Sequence, residues 1–219
     1  GPGESPTAGT KGHGIGHGDH LFGDEALHVP FAIRGPGIPA GENPAMVRDV
    51  DLAPTLYELT KTAAPSDLDG RSLVPVLAAG KETAKEPVYA FAETGLWFTD
   101  EISALGPGLR LPYPGITGLT EVDREHGDDI VLRASYRPLA MTAKHRAIFD
   151  GRFKLVYVPT RDGARYMLFD RQTDPAEVRD VASEKPEERK RLATPLWAWM
   201  LRDTEMEERG GFLVHKGQR

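Results

Sequence analysis

Hydrophobic and polar positions alternate most regularly in the C-terminal third of the chain. HRAIF (145–149), RFKLVYV (152–158) and ARYMLFD (164–170) are three β-rich runs, separated by Asp150-Gly151 and by Arg161-Asp162-Gly163. Asp-Gly between two apolar runs is a strong hairpin signal, because the turn needs residues that tolerate positive φ. The pattern predicts a three-stranded antiparallel meander, with PVYAFAET (87–94) as a fourth strand. Lys154 falls between Phe153 and Leu155, so simple alternation places it on a solvent face. After Asp174-Pro175 the period lengthens, and a helix is predicted over 186–207 with Leu192, Leu196, Trp199 and Met200 on one stripe. Pro195 should kink that helix or start it afresh. The Asp-Pro-x-Glu run at 174–177 reads as the turn before it.

Upstream, VPFAIR (29–34), closed by Gly35-Pro36-Gly37, predicts a buried strand. Asp51 is placed to cap a helix in which Leu52, Leu56 and Leu59 repeat at helical spacing and Pro54 sits in the first turn. A second short helix is expected from Ser72, after the Asp69-Gly70 turn. Residues 95–140 sustain neither period and carry several aromatics with an acidic run, DREHGDD (123–129). Long loops of this kind are surface insertions or functional lids, and both readings stand here. The resulting division is 1–94, 95–140 as an irregular insertion, and 141–219 as an antiparallel subdomain with a packing helix. The fold class expected of the chain is α+β, with a small four-stranded antiparallel sheet and a C-terminal helix.

Composition narrows the function classes. The chain has 219 residues, 39% of them hydrophobic, and a formal net charge of −6. An acidic balance argues against nonspecific nucleic-acid binding, which relies on clustered Lys and Arg. The one basic cluster, ERKRL (188–192), is interleaved with glutamate and reads as a solvated helix face. The longest apolar runs, such as LVPVLAA (73–79), fall far short of the roughly twenty residues that a membrane-spanning helix needs. With no cysteine, disulfides and cysteine-ligated zinc are excluded.

The chemistry concentrates near the start. His13, His17, His20 and His28 fall within sixteen residues, and the first three are interleaved with glycines at 12, 14, 16 and 18. Glycine permits close backbone approach to a ligand, and imidazole changes charge near neutral pH, so this loop suits contact with an anion. The three- and four-residue spacings would converge on a helix face as a zinc site. Four glycines oppose a helix there, each costing about 1 kcal/mol against alanine.

Three blocks, GHGIGHGDHLFGDEALHVPFAIRGPGIPAG (12–41), VRDVDLAPTLYELTKTAAPSDLDGRSLVPVLAAG (47–80) and HRAIFDGRFKLVYVPTRDGARYMLFDRQTDPAEVRDVA (145–182), resemble the C-terminal half of a sulfatase, in that family's order. The resemblance implies the alkaline-phosphatase-like α/β parent fold, with this chain supplying the end of the core and the antiparallel subdomain. In that family a Gly-His-Gly loop carries a basic residue that touches the sulfate group. The match falls on Gly16-His17-Gly18, which makes His17 the candidate catalytic residue. His13 and His20 compete for the same contact, and Trp97 is a candidate substrate-facing aromatic in the 95–140 segment.

The departures are as informative. The family's nucleophile, a formylglycine or a serine in a Cys/Ser-x-Pro/Ala-x-Arg signature, is absent, as are the paired aspartates that bind the cation. Gly3-Glu4 matches the tail of an Asp-His-Gly-Glu motif, and Gly1-Pro2 matches a tag-cleavage scar. The chain is therefore expected to be a fragment whose partner is the N-terminal catalytic portion of the same protein. By resemblance, the parent uses calcium or a similar divalent cation and hydrolyses a small-molecule or glycan sulfate ester, while the isolated chain has little activity. Two competitors are a phosphoester or phosphonate hydrolase of the same superfamily and a noncatalytic binding or assembly module.

Overall fold

The structure is a computed structural model that describes residues 21–23, 27–79, 88–95, 111 and 114–217. It divides into two compact units, one made of residues 1–28 and 91–219 and the other of residues 29–90.

The larger unit is built on the expected four-stranded antiparallel sheet, in the order β1 (Ala90–Glu93), β4 (Arg146–Phe149), β5 (Phe153–Thr160), β6 (Gly163–Asp170). The Asp150-Gly151 turn forms as predicted. The Asp150 carboxylate accepts the N–H groups of Arg152 at 3.0 Å and Phe153 at 2.7 Å, and Gly151 takes φ 93°. That pins a register with Phe149 opposite Lys154 and Arg146 opposite Tyr157. Across β5 and β6, Lys154 faces Phe169 and Tyr157 faces Tyr166.

All eight residues of β5 are buried. Alternation therefore separates two covered faces, and Lys154, expected in solvent, is completely buried. The Tyr157 face meets α5 (Pro186–Met200), which buries Leu192, Leu196 and Met200 as predicted. Trp197 packs edge-on to Tyr157 with ring centroids 5.8 Å apart and donates to the Tyr166 hydroxyl at 2.6 Å. Trp199 stacks on Phe91 of β1 at 5.0 Å. The helix runs through Pro195 without a break and ends at Met200, shorter than the predicted 186–207.

The polypeptide then forms a hairpin, β7 (Met206–Arg209) and β8 (Phe212–His215), turned by Gly210 and Gly211 at φ 60° and 85°. Two successive positive φ values are what a tight hairpin turn requires. β8 docks on the sheet through the Leu213 N–H, which donates to the buried Tyr157 hydroxyl at 2.9 Å.

Residues 114–143 are more regular than their sequence suggests. They form α3 (Ile116–Leu119), a hairpin of β2 (Thr120–Asp123) and β3 (Asp129–Leu132), and α4 (Arg137–Ala143). The acidic run supplies the hairpin turn. Asp123 accepts the Glu125 N–H at 3.0 Å, and Gly127 and Asp128 take positive φ.

The smaller unit has a polar heart. Asp51 does not cap α1 (Leu52–Leu59) through its side chain. Its carboxylate instead holds the Arg48 guanidinium at 2.5 and 3.1 Å and the Arg71 N–H at 2.9 Å. Burial would raise the Asp51 pKa, but these donors outweigh it and hold the group below the usual aspartate value of 3.8. One turn on, buried Thr55 donates to the Asp51 carbonyl at 2.6 Å and accepts the Leu73 N–H at 2.8 Å. Gly70 makes this contact possible, since a Cβ there would lie 1.8 Å from the Val50 carbonyl oxygen. The second helix, α2 (Val74–Ala79), begins two residues after Ser72, whose hydroxyl accepts the Val74 N–H at 3.2 Å. Residues 29–34 form no strand, and Val29 and Phe31 are exposed, against the expectation of a buried strand. Leu52, Leu56 and Leu59 keep their helical spacing on an exposed face.

Candidate functional site

The row Phe149, Lys154, Phe169 crosses three strands on one face of the sheet, in register. On this face sit Leu21, Phe22 and Gly23, the residues that immediately follow the glycine-histidine loop. Leu21 is buried, and the Phe22 ring lies edge-on to Phe169 at 6.2 Å and to His145 at 5.8 Å. His145 is fully buried where the chain enters β4, and its backbone exchanges hydrogen bonds with Thr94 at the end of β1.

At Gly23 the contact becomes polar. The Lys154 ammonium donates to the Gly23 carbonyl at 3.0 Å, and the Gly23 N–H donates to Glu177 Oε2 at 2.9 Å. Lys154 and Glu177 form an ion pair in which both side chains are fully buried. Arg171 Nε approaches the other Glu177 oxygen at 3.3 Å from a partly exposed position. The Phe149 ring lies 5.5 Å from the ammonium, adding its negative face to the cation's surroundings. Gly23 itself takes φ 75°, a conformation that favours glycine.

The Asp174-Pro175-Ala176-Glu177 turn delivers the carboxylate. The Glu177 N–H returns to the Asp174 carbonyl at 3.1 Å, and Glu177 adopts φ 54°. A non-glycine residue in the left-handed region is uncommon, so this turn is held by its surroundings. A motif read from sequence as a plain turn thus contributes a buried anion.

The sequence-predicted residues His13, His17, His20 and Trp97 lie outside the described residues. His28 is exposed. The structure adds Lys154, Glu177, Phe22 and His145, none of which the pattern singled out for function. Among the described residues no group of three or more His, Asp or Glu side chains is arranged to hold a metal ion. No described helix is long and apolar enough to cross a membrane.

A family model described as N-sulphoglucosamine sulphohydrolase, C-terminal, matches residues 14–95. The Delta 4,5-hexuronate-2-O-sulfatase of Bacteroides thetaiotaomicron is 28% identical over 159 residues, covering 63% of this chain and 32% of that protein. Arylsulfatase K of Xenopus laevis is 26% identical over 161 residues, covering 73% of this chain and 23% of its own length. A solved structure of a candidate sulfatase from Bacteroides thetaiotaomicron VPI-5482 superposes with a TM-score of 0.53 at 22% identity, over 84% of this chain and 32% of that one. The chain therefore spans a third or less of the relatives it matches, and it shares the fold of the corresponding part of that solved structure.

Proposed function

We propose that this chain, which is related to the C-terminal part of the sulfatases in the alkaline-phosphatase-like superfamily, completes the pocket in which its parent enzyme hydrolyses a sulfate ester. The observation that carries the reading is the clasp on Gly23. It holds the exit of the glycine-histidine loop, and the family match runs through that loop.

His17 is the donor to a sulfate oxygen or to the leaving oxygen, with His13 and His20 beside it in the substrate-binding loop. A fixed N–H donor aimed at developing negative charge stabilises the transition state most where water is excluded. Trp97 supplies a rigid aromatic surface for the organic part of the ester. Two names favour a sulfated sugar as substrate, the hexuronate sulfatase among the relatives and the sulphoglucosamine family description.

The nucleophile and the cation, taken as Ca2+, belong to polypeptide that precedes this chain in the parent. That polypeptide is also the partner that covers the apolar side chains left exposed in the smaller unit, Val29, Phe31, Leu52, Leu56 and Leu59. Alone, the chain has little activity.

The test is steady-state kinetics of the full-length protein with 4-nitrophenyl sulfate and a phenylphosphonate monoester. His17→Ala should lower sulfate turnover about 10²-fold or more, as removal of an oxyanion donor does elsewhere. Near-normal turnover of the variant removes His17 from the reaction, and a preference of the wild type for the phosphonate overturns the sulfate reading.

A further inference from the structure

A lysine ammonium buried to 0% exposure has lost its water shell, a loss that only a close anion and good hydrogen bonds offset. Replacing a buried ion pair by apolar side chains of similar volume is often neutral for stability, so packing alone does not account for a charge in the middle of β5. What Lys154 and Glu177 achieve together is specific. They take both backbone polar groups of one residue, Gly23, from positions 131 and 154 residues away in sequence. Phe22, next to it, is wedged against His145 and Phe169. The segment thus has its rotation fixed by two opposed hydrogen bonds and its depth fixed by a ring. Arg171 steadies the carboxylate from the far side.

Gly23 follows His20 by three residues and His17 by six. Three residues of chain span at most about 11 Å, so the place where Gly23 is held limits where the histidines can reach. We infer that Lys154 and Glu177 are positioning residues of the reaction, setting the pose of the histidine loop from the C-terminal sheet. The inference rests on His17 contacting the sulfate group. Neither side chain touches substrate, and each acts through the backbone of Gly23. A displacement of about 1 Å at a reacting group costs on the order of 10²-fold in rate, which is the size of effect a loosened clasp should produce.

The experiment uses the full-length protein with 4-nitrophenyl sulfate. Lys154→Met keeps most of the side-chain volume and removes the donor to Gly23. It should lower kcat by about ten- to a hundredfold with KM changed by less than about threefold, and Lys154→Arg should recover part of the loss. Combined with His17→Ala, Lys154→Met should add little further loss, because both act on the same contact. Wild-type kcat in Lys154→Met, or losses that multiply in the double variant, would overturn the inference. Should Lys154→Met not fold, the double variant Lys154→Met/Glu177→Leu, which removes both bonds to Gly23 without leaving a buried charge unpaired, is read in the same way. Hydrogen exchange of the wild type gives a reading without any variant. The Gly23 amide should exchange as slowly as core amides of β5, and fast exchange there refutes the clasp. If His17→Ala itself turns over normally while Gly23 is protected, the role of His17 falls and the clasp stands as structure only, which also overturns the positioning role.

Discussion

Replacing Tyr157 by phenylalanine isolates one buried oxygen at the centre of the larger unit. The ring is fully buried, with edge contacts to Tyr166 at 5.7 Å and Trp197 at 5.8 Å that phenylalanine would keep. What disappears is the acceptor for the Leu213 N–H, 2.9 Å away and buried, through which β8 docks on β5. A buried donor left without its partner costs about 1–3 kcal/mol. The alkaline limb adds a second, independent signature. Burial pushes the Tyr157 hydroxyl up to about 12 from 10.0, with the Leu213 N–H pulling the other way. Tyrosine is neutral when protonated, so the fold favours the neutral form. The corresponding stability is full below pH 10 and drains as pH rises through about 12, when the unfolded chain ionises first. Two pH units correspond to roughly 2.7 kcal/mol. Urea unfolding followed by Trp197 and Trp199 fluorescence should therefore show Tyr157→Phe about 1–3 kcal/mol less stable at pH 8, with the gap narrowing or reversing by pH 12. A variant as stable as the wild type at pH 8 that also loses stability in parallel with it between pH 10 and 12 would refute the reasoning.

The smaller unit yields two further tests. Gly70→Ala would set a methyl group 1.8 Å from the Val50 carbonyl oxygen and 2.9 Å from the Asp51 Cα, forcing apart the bonds from Arg71 and Leu73 to Asp51 and Thr55. Two buried hydrogen bonds at stake predict a loss of about 3 kcal/mol, read by chemical denaturation at neutral pH. Asp51, held below its ordinary pKa chiefly by Arg48 against the opposing effect of burial, contributes stability that is present above pH 3.8 and lost as pH falls further. Asp51→Asn should cost about 2 kcal/mol at pH 7, and its unfolding free energy should fall less steeply than that of the wild type below pH 4. A parallel acid limb in the two proteins would contradict the assignment.

The elements that could be read from sequence are those specified by local chemistry. Asp150-Gly151 dictates a tight turn whatever surrounds it, and Leu192, Leu196 and Met200 repeat at helical period, so β4 and β5 form where expected and α5 starts where expected. Gly210-Gly211 carried an equally good signal between MEER and FLVH, but the longer helical reading of 186–207 ran over the start of that hairpin. The solvent-facing reading of Lys154 failed because alternation distinguishes two faces without saying whether either is wet. The reading of 29–34 as a buried strand failed because burial depends on a partner, and among the described residues none pairs with it. Asp51 looked like a helix cap because aspartate favours that position, but Arg48 and Arg71 claim its carboxylate from either side along the chain.

The surroundings of Gly23 were illegible for the same reason. A density of histidine and glycine draws attention in one dimension, whereas the side chains that bind Gly23 do not. Lys154 and Tyr157 sit three residues apart on opposite faces of one strand, and each plants a polar atom in an apolar surface. Each meets a backbone group, Gly23 in one case and Leu213 in the other, and Glu177, the side chain that pairs with Lys154, comes from the turn beyond β6, so the local pattern does not betray either pairing. Backbone groups are present at every residue, and only the fold selects which one is used. The consequence for function is directional. Substituting Lys154 or Glu177 removes one of the two bonds to Gly23, whereas a substitution elsewhere on β5 does not. Under the proposed positioning role, Lys154 and Glu177 variants should therefore lower turnover more than substitutions elsewhere on the same face of the sheet.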